Sequence, residues 1–218
     1  MAGINGIDIF STLDELVHPQ HTAVLIYDMQ VGIVRQVANG EAILAANCAL
    51  LDAARRAGVR VVFTRHLSLP TEWMGSFQYR MSMAWQRQQD PAKVVSVFHR
   101  DSPNSQLAPE LKVRPTEAVF DKLAMSAFEG TPLAFALRDC NIRSVIIAGI
   151  AMEIGIEPTC RQAADLGIIP ILVRDACGAG NAESAAKCIE TLEHMGDTIL
   201  SDLTTVTALL NRHANPAK

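Results

Sequence analysis

The 218-residue sequence lacks the features of a nucleic-acid-binding or membrane protein. Its 19 basic and 23 acidic residues give a formal net charge of −4, so there is no excess of positive charge to meet a phosphate backbone. No apolar run approaches the roughly 20 residues that a membrane span requires. The first residues carry acids early and form no basic segment, unlike a secretion signal. We therefore expect a small-molecule substrate, no nucleic acid or membrane partner, and a cytoplasmic location.

The sequence also lacks the cysteine pattern of a disulfide framework. Its five cysteines are an odd number, and none of them stands in a Cys-x-x-Cys pair. Such thiols are typical of a reduced, cytoplasmic protein. Neither of the glycine-rich loops that cradle phosphates, GxGxxG or GxxxxGK followed by Ser or Thr, comes after the first predicted strand. We therefore expect no nucleotide and no other cofactor.

Short β-branched runs alternate with stretches of helical periodicity along most of the chain. Strands are predicted at 22–27, 59–64, 117–120, 144–148, 167–173 and 198–200. Helices are predicted at 11–17, 40–57, 131–138, 153–166, 181–195 and 204–211. This alternation indicates one α/β domain over residues 1–218, in which a mostly parallel sheet lies between two layers of helices.

Residues 67–115 interrupt this alternation with a long, less regular stretch that holds both tryptophans. A long excursion inside an α/β domain is usually a lid, a binding loop or an oligomer contact. Its segment 73–85 is apolar and rich in methionine, which favours a contact surface. We expect a homo-oligomer, a dimer or tetramer, that uses this segment.

The apolar strand at 144–148 is the best candidate for the centre of the sheet. Gly149 ends it, and a helical stretch follows directly. A strand that passes straight into a helix exposes several unpaired backbone N–H groups at one point, where a negative or polar group binds well. Ligands of open α/β sheets bind at this carboxyl edge. The sequence therefore predicts an active centre just after this strand.

Asp28 and Lys122 each follow another predicted strand. A carboxylate that emerges from a buried strand is partly desolvated, which suits Asp28 to general acid or base catalysis. A helix cap or a surface turn is an equally good interpretation of Asp28 alone. For Lys122 alone, an exposed ion pair is the simpler interpretation.

Both residues lie in longer segments that carry a family resemblance. The segments are AVLIYDMQ, VRVVFTRH and VFDKLAMSAFEGTPLAFALRDCNIRSVIIAGIAMEIGIEPTCRQAADLGIIPILVRDACGA. In this order the chain resembles the isochorismatase-like hydrolases, the superfamily that also holds the nicotinamidases and other cysteine hydrolases. The resemblance implies a six-stranded parallel sheet flanked by helices, with a catalytic Asp, Lys and Cys at the strand ends. Asp28 and Lys122 match the first two.

The cysteine nucleophile of that superfamily is missing. In the cysteine hydrolases it stands six residues after the glycine that ends the central strand, and here that position is Gly155. Amide hydrolysis through a thioester requires a thiolate, which glycine cannot supply. Cys160 lies five residues further along the helix, about one and a half turns away, and is expected to pack against the sheet.

Several isochorismatases proper carry glycine at this position, so the resemblance implies vinyl-ether hydrolysis of a small carboxylated substrate. Asp28 would protonate the enol-ether carbon, and water would capture the oxocarbenium ion. Lys122 would orient Asp28 and hold the substrate carboxylate. Gly155 counts as part of this site. Two alternatives stay open: an atypical amidohydrolase in which Asp28 activates water, and a catalytically silent binding or assembly module.

The resemblance also supplies candidates for substrate binding, together with a non-proline cis peptide at Ile150–Ala151. The backbone from Ala151 to Gly155 would hold a substrate oxygen. The candidates are Ala151, Met152, Glu153, Arg87 and Phe128. Arg65, Arg80 and Arg100 are alternatives to Arg87 for the carboxylate. Glu153 is either a third ionisable group coupled to Asp28 and Lys122 or a stabiliser of the helix N-terminus.

A metal site is not expected. Nicotinamidases bind zinc through an Asp and two His after the second strand. Here that place reads TRHLSLPTEW, in which His66 stands without an acid two residues before it, and His99 is far along the chain. One histidine does not make a zinc site.

Overall fold

The structure is a computed structural model that describes residues 2–214. Its strands are β1 Ala2–Ile4, β2 Ile7–Ile9, β3 Thr22–Tyr27, β4 Arg60–His66, β5 Ala118–Lys122, β6 Ser144–Ile150, β7 Ile169–Gly178 and β8 Ile199–Ser201. Its α-helices are α1 Leu13–Leu16, α2 Val31–Val34, α3 Gly40–Ala57, α4 Ser76–Gln86, α5 Leu133–Asp139, α6 Glu157–Asp165, α7 Ala182–Met195 and α8 Leu203–Arg212.

Six of the strands form one parallel sheet in the order β5-β4-β3-β6-β7-β8. The six-stranded parallel sheet is thereby confirmed. The two central strands, β3 and β6, are buried along their whole length. They have a neighbour on each side and helices on each face, which explains why both read as continuous apolar runs. The predicted lead-in contains, in addition, an antiparallel hairpin of β1 and β2.

Alternate side chains of the central strands enter two separate cores, one on each face of the sheet. Val24 and Ile146 pack with the buried sides of α3 and α8. Leu25 and Ile147 pack on the opposite face with α5, α6 and α7. The three-layer prediction is therefore confirmed. Cys160 lies in the second core and is fully buried, which confirms its packing role.

The excursion contains a helix that the sequence pattern did not predict. Helix α4 is flanked by short 3-10 turns, the first at Thr71–Trp73. None of the eleven residues of α4 is buried, so the segment has no apolar stripe from which a helix could be recognised. The structure also ends β7 at Gly178, five residues beyond the predicted end. Within residues 2–214, no helix has the length and apolar character to cross a membrane.

We propose that the exposed aromatic surface at Trp73 and Phe77 joins two copies of this chain. Trp73, which is 78% exposed, lies in the turn before α4, and Phe77, which is 71% exposed, lies in the first turn of α4. Exposed aromatic patches of this kind mark protein contacts. At micromolar concentration, size-exclusion chromatography with light scattering should give an oligomer. Trp73→Ser should shift it to the monomer, whereas Phe135→Ser, which removes a ring 67% exposed on α5, should not. A monomeric native protein would contradict the proposal.

Candidate active site

Strands β3, β4 and β5 end at the same edge of the sheet and bring their last residues together there. His66 of β4 is in register with Lys122 of β5, and Tyr27 of β3 is in register with Gly149 of β6. Asp28 follows β3 directly and adopts a left-handed backbone conformation with φ of 45°. The parallel arrangement therefore gathers the two sequence-predicted residues, Asp28 and Lys122, at one point.

Asp28 and Lys122 form a buried ion pair. The Lys122 Nζ lies 2.7 Å from Asp28 Oδ2, and the two side chains are 0% and 4% exposed, respectively. Thr64 Oγ1 accepts a hydrogen bond from the Asp28 N–H at 3.2 Å and donates one to Asp28 Oδ1 at 2.7 Å. Both carboxylate oxygens therefore have a donor, which offsets the cost of burying the charge.

All three N–H groups of Lys122 are engaged. They reach Asp28 Oδ2, the Tyr27 hydroxyl at 2.7 Å and the Ala124 carbonyl at 3.1 Å. The ammonium also lies 4.3 Å from the centroid of the Tyr27 ring. Burial lowers the pKa of Lys122, while the Asp28 carboxylate opposes that effect. Since no Lys122 donor is left, the expected hold of Lys122 on a substrate carboxylate does not fit this geometry.

Tyr27 occupies the space beside Gly155, a contact that the sequence analysis missed. A Cβ atom built on Gly155 would lie 1.7 Å from the Tyr27 hydroxyl oxygen and 2.3 Å from Cζ. The hydroxyl donates to the Met125 carbonyl and accepts from Lys122. Burial, with Asp28 nearby, raises the pKa of Tyr27 well above its ordinary value. The one indication in the sequence is a hydroxyl-bearing residue at the end of an otherwise apolar strand.

The chain after β6 has the cis peptide at Ile150–Ala151 that the resemblance implied. A π-helical turn follows at Met152–Ile156. The N–H groups of Ile154 and Gly155 both point to the Ala151 carbonyl, at 3.3 and 3.1 Å. These amides, expected to hold a substrate oxygen, are thus already engaged within the turn.

A cavity of about 570 Å³ opens onto Asp28. Its walls come from α2, α4, the ends of β3, β4 and β6, and nearby loops. Its described lining residues are Tyr27, Asp28, Ile33, Gln36, Val37, His66, Leu67, Ser68, Met74, Phe77, Gln78, Met81, Ser82, Trp85, Gln86, Val97, Phe98, Leu123, Met125, Ile150, Ala151, Ile154 and Gly180. Apolar side chains dominate, and neither lysine nor arginine is among these residues. The cavity therefore suits a substrate with an apolar body.

The structure brings only part of the predicted substrate-binding set to this cavity. Ala151 lines it, whereas Met152 and Phe128 are buried in the second core. Glu153 accepts a hydrogen bond from the Asn181 N–H at 2.7 Å, so it ties the π-helical turn to the start of α7. Arg87 caps α4, is exposed and does not line the cavity. The position of Arg87 therefore does not support a contact with substrate there.

The alternative arginines are no closer to the cavity. Arg65 and Arg100 pair with Asp121 at 2.7 and 3.2 Å, and Arg80 is exposed on α4. None of the three is among the described residues that line the cavity. The structure thus offers no cationic partner for a substrate carboxylate in the described lining.

No thiol faces the cavity in the described part of the chain. Burial raises the pKa of the Cys160 thiol well above its usual range and that of Cys177 to about 12. Both groups are therefore protonated and unreactive near neutral pH. Between residues 2 and 214, no three His, Cys, Asp or Glu side chains lie close enough together to hold a metal ion.

His66 is a titratable group of the cavity that sequence reasoning did not assign to the site. Its ring meets those of Trp85 and Phe98 edge-on, with centroids 6.0 and 6.1 Å away. Within residues 2–214, its Nδ1 is buried without a hydrogen-bond partner. Burial, with Lys122 nearby, lowers the pKa of His66 from 6.5 to about 4. The imidazole is therefore neutral at pH 7 and available to a substrate.

The lowered pKa of His66 predicts a loss of stability in acid. Below pH 6.5, His66 is protonated in the unfolded chain, whereas in the folded chain it stays neutral until about pH 4. The contribution of His66 is thus present above pH 6.5 and falls, by up to about 3 kcal/mol, as the pH drops toward 4. The free energy of unfolding is measured in urea at pH 7 and at pH 4.5. His66→Gln should reduce the difference between these two free energies. The exposed His194→Asn on α7 should leave it unchanged; equal effects would contradict the assignment.

Comparison with known proteins places this geometry in a family. Residues 22–202 match the model of the isochorismatase domain. The ureidoacrylate amidohydrolase RutB of Enterobacter sp. (strain 638) is 27% identical over 184 residues, covering 78% of this chain and 80% of the relative. The uncharacterised isochorismatase family protein YecD of Escherichia coli O157:H7 is 40% identical over 62 residues, 28% of this chain and 33% of the relative.

Solved structures share the fold along nearly the whole chain. A cysteine hydrolase from Pseudomonas syringae pv. phaseolicola 1448A superimposes with a TM-score of 0.79 at 21% identity, over 91% of this chain and 96% of the other. An isochorismatase family protein from Desulfovibrio vulgaris gives a TM-score of 0.74 at 21% identity, over 88% and 98% of the two chains. Because the family model spans residues 22–202 and therefore most of the sequence, the chain belongs to the isochorismatase family and is a hydrolase.

Proposed function

We propose that this hydrolase works without a cysteine nucleophile and cleaves a vinyl ether or a related bond by proton transfer from Asp28. The observation that carries the proposal is the contact between Tyr27 and Gly155. The phenol fills the space that a side chain at position 155 would need. A nucleophile at that position is excluded by packing as well as by sequence. Asp28, buried against Lys122, lines the cavity and can supply the proton instead.

The buried pair supports an acid role for Asp28. In the low dielectric of the site, the separated charges of carboxylate and ammonium lose much of their solvation. Burial lowers the pKa of Lys122, and its Nζ lies 2.7 Å from Asp28 Oδ2. A proton can therefore pass from the ammonium to the carboxylate along this hydrogen bond. Asp28 then presents a carboxylic acid to the cavity.

The proposed reaction balances without an enzyme nucleophile. The Asp28 acid gives its proton to the terminal carbon of the vinyl ether, and the C=C electron pair forms the new C–H bond. The resulting oxocarbenium ion is captured by water at the carbon that carries oxygen, and the proton of that water returns to the Asp28 carboxylate. The hemiketal hydroxyl then loses its proton, the C–O bond to the leaving group breaks, and the departing oxygen takes up a proton, which gives a ketone and an alcohol. Such proton transfer contributes ~10²–10⁴-fold to the rate.

The cavity argues for a substrate with an apolar body rather than one recognised through a charge. Its described lining has no lysine or arginine, and the donors of Lys122 are occupied. The neutral imidazole of His66 offers one uncharged polar contact near Asp28. This differs from the carboxylated substrate implied by the resemblance, and we propose an uncharged or weakly polar vinyl ether instead.

Amide hydrolysis is the second candidate, because a relative at 27% identity is named ureidoacrylate amidohydrolase. In this version Asp28 would take a proton from water that attacks the carbonyl. The geometry supports it less well, since the N–H groups of Ile154 and Gly155 already point to the Ala151 carbonyl. Neither of these two amides is therefore free to bind an oxyanion. A purely binding role gains little support from a buried charge pair that faces a cavity.

The decisive experiment measures turnover of a panel of vinyl ethers, with and without a carboxylate, beside small amides that include ureidoacrylate. We expect ketone release from an uncharged vinyl ether and a fall in kcat of at least about 10²-fold in Asp28→Asn. Asp121→Asn provides a matched control, because Asp121 lies next to Lys122 but pairs with Arg65 and Arg100. Its activity should stay close to that of the native protein.

Thiol alkylation separates the mechanisms further. Iodoacetamide should leave turnover unchanged, since no cysteine lines the described cavity. Turnover of amides alone would overturn the vinyl-ether proposal in favour of the second candidate. Loss of activity on alkylation would overturn the absence of a cysteine nucleophile. Gly155→Cys alone is not a suitable probe, because its Cβ would overlap the Tyr27 phenol.

A further inference from the structure

We infer that Tyr27 is a positioning residue of the active site: its phenol holds the Lys122 ammonium against Asp28, and Gly155 must be glycine because this phenol fills its side-chain space. The kinetic part of this inference rests on the proposed function. The steric part does not, since it concerns packing alone.

The hydrogen bonds of Tyr27 fix where the ammonium lies. The hydroxyl donates to the Met125 carbonyl, so its lone pairs face Lys122 Nζ, 2.7 Å away. The same Nζ lies 4.3 Å from the ring centroid. One residue thus offers the ammonium both an acceptor and an aromatic face, and both favour its charged form.

The same contacts separate a positioning role from a catalytic one. The hydroxyl hydrogen is engaged with Met125, so it is not free to protonate a substrate. Burial keeps Tyr27 a neutral phenol, because its pKa is raised well above the ordinary value. A neutral phenol adds no charge that would compete with Asp28 for the ammonium. The Tyr27 hydroxyl therefore acts on the reaction through Lys122.

The position of the phenol is set by two glycines, six residues apart. At Gly149, φ is +133° and a Cβ would lie 2.0 Å from the Tyr27 carbonyl oxygen, so the backbone of Tyr27 needs this glycine. At Gly155, a Cβ would lie 1.7 Å from the hydroxyl oxygen at the other end of the residue. Neither contact can be relieved by moving the far end of a flexible side chain, because one involves backbone and the other a rigid ring in a packed core.

The first test is the pH profile of Tyr27→Phe, with Tyr79→Phe as matched control. The control removes the only other tyrosine hydroxyl, which bonds the Thr71 carbonyl and does not line the described cavity. Loss of the Tyr27 acceptor disfavours the ammonium, so the Lys122 pKa falls further. The alkaline limb of kcat/KM should therefore move to lower pH by about one unit. A uniform drop at all pH values would overturn the positioning role.

The same shift can be measured without turnover, which keeps this test separate from the proposed function. The ¹³Cε resonance of Lys122, assigned by its absence in Lys122→Met, should titrate at lower pH in Tyr27→Phe than in the native chain or in Tyr79→Phe. An unmoved titration would overturn the inference even if the vinyl-ether proposal held. The titratable groups that act on Lys122 come from the ends of β3 and β4. They are Asp28, Tyr27 and His66.

The second test is a thermal-unfolding cycle between positions 27 and 155. Gly155→Ala should lower Tm by at least about 5 °C, whereas Gly75→Ala, with nothing within 4 Å of its Cβ, should change Tm little. In a Tyr27→Val background the Gly155→Ala change should cost little. In a Tyr27→Phe background, Gly155→Ala should still lower Tm by most of the amount seen in the native background, because Cζ remains 2.3 Å from the new Cβ.

Folding failure would not make the cycle uninformative. If Gly155→Ala does not fold alone but folds with Tyr27→Val, the steric coupling is supported directly. An effect of Gly155→Ala that is the same in all three backgrounds would overturn it. A Gly155→Ala variant as stable as Gly75→Ala would also overturn it.

Discussion

The candidate active site depends on a buried ion pair that is fully hydrogen-bonded. Removing Asp28 and Lys122 from water is costly, and losing one partner of such a pair typically costs about 3–5 kcal/mol because the other charge is left uncompensated. Thr64, Tyr27 and the Ala124 carbonyl supply the remaining bonds. Their positions follow from the sheet, since β5, β4 and β3 are neighbours and end at the same edge. The parallel order of these strands thus determines where a proton can be held.

Tyr27 links that pair to the rest of the molecule. Its backbone crosses the sheet beside Gly149, its ring lies against Gly155, and its hydroxyl bridges Lys122 and the Met125 carbonyl. The stretch after β6 therefore has to follow the shape of a side chain on β3. This explains why the two glycines are needed at a spacing of six residues, one for a close backbone approach and one for a ring. Reactivity and packing are joined in a single residue.

The parts of this architecture that depend on local sequence pattern could be predicted from the sequence. The bounds of β3 and α3 were predicted as 22–27 and 40–57, because apolar periodicity and a terminal Gly58 define them. Asp28 and Lys122 were found because each comes at the end of a predicted strand and lies in a segment that carries the family resemblance. Helix α4 was missed because its residues contact the cavity and solvent rather than a core. The Tyr27–Gly155 contact joins positions 128 residues apart, so no local pattern could reveal it; only the missing cysteine pointed to that place.

The same contacts account for the kind of reaction that this site favours under the proposed mechanism. A thiolate in the place of the phenol would compete with Asp28 for the Lys122 ammonium, whereas a neutral phenol leaves the ion pair intact. The proton then stays between two groups 2.7 Å apart, one of which, Asp28, lines a mostly apolar cavity. Proton transfer to carbon creates a cation in the substrate, and the Asp28 carboxylate that remains stabilises it strongly in such surroundings. A site built this way gains rate from the charge that develops during the reaction, and it needs no covalent bond to the enzyme.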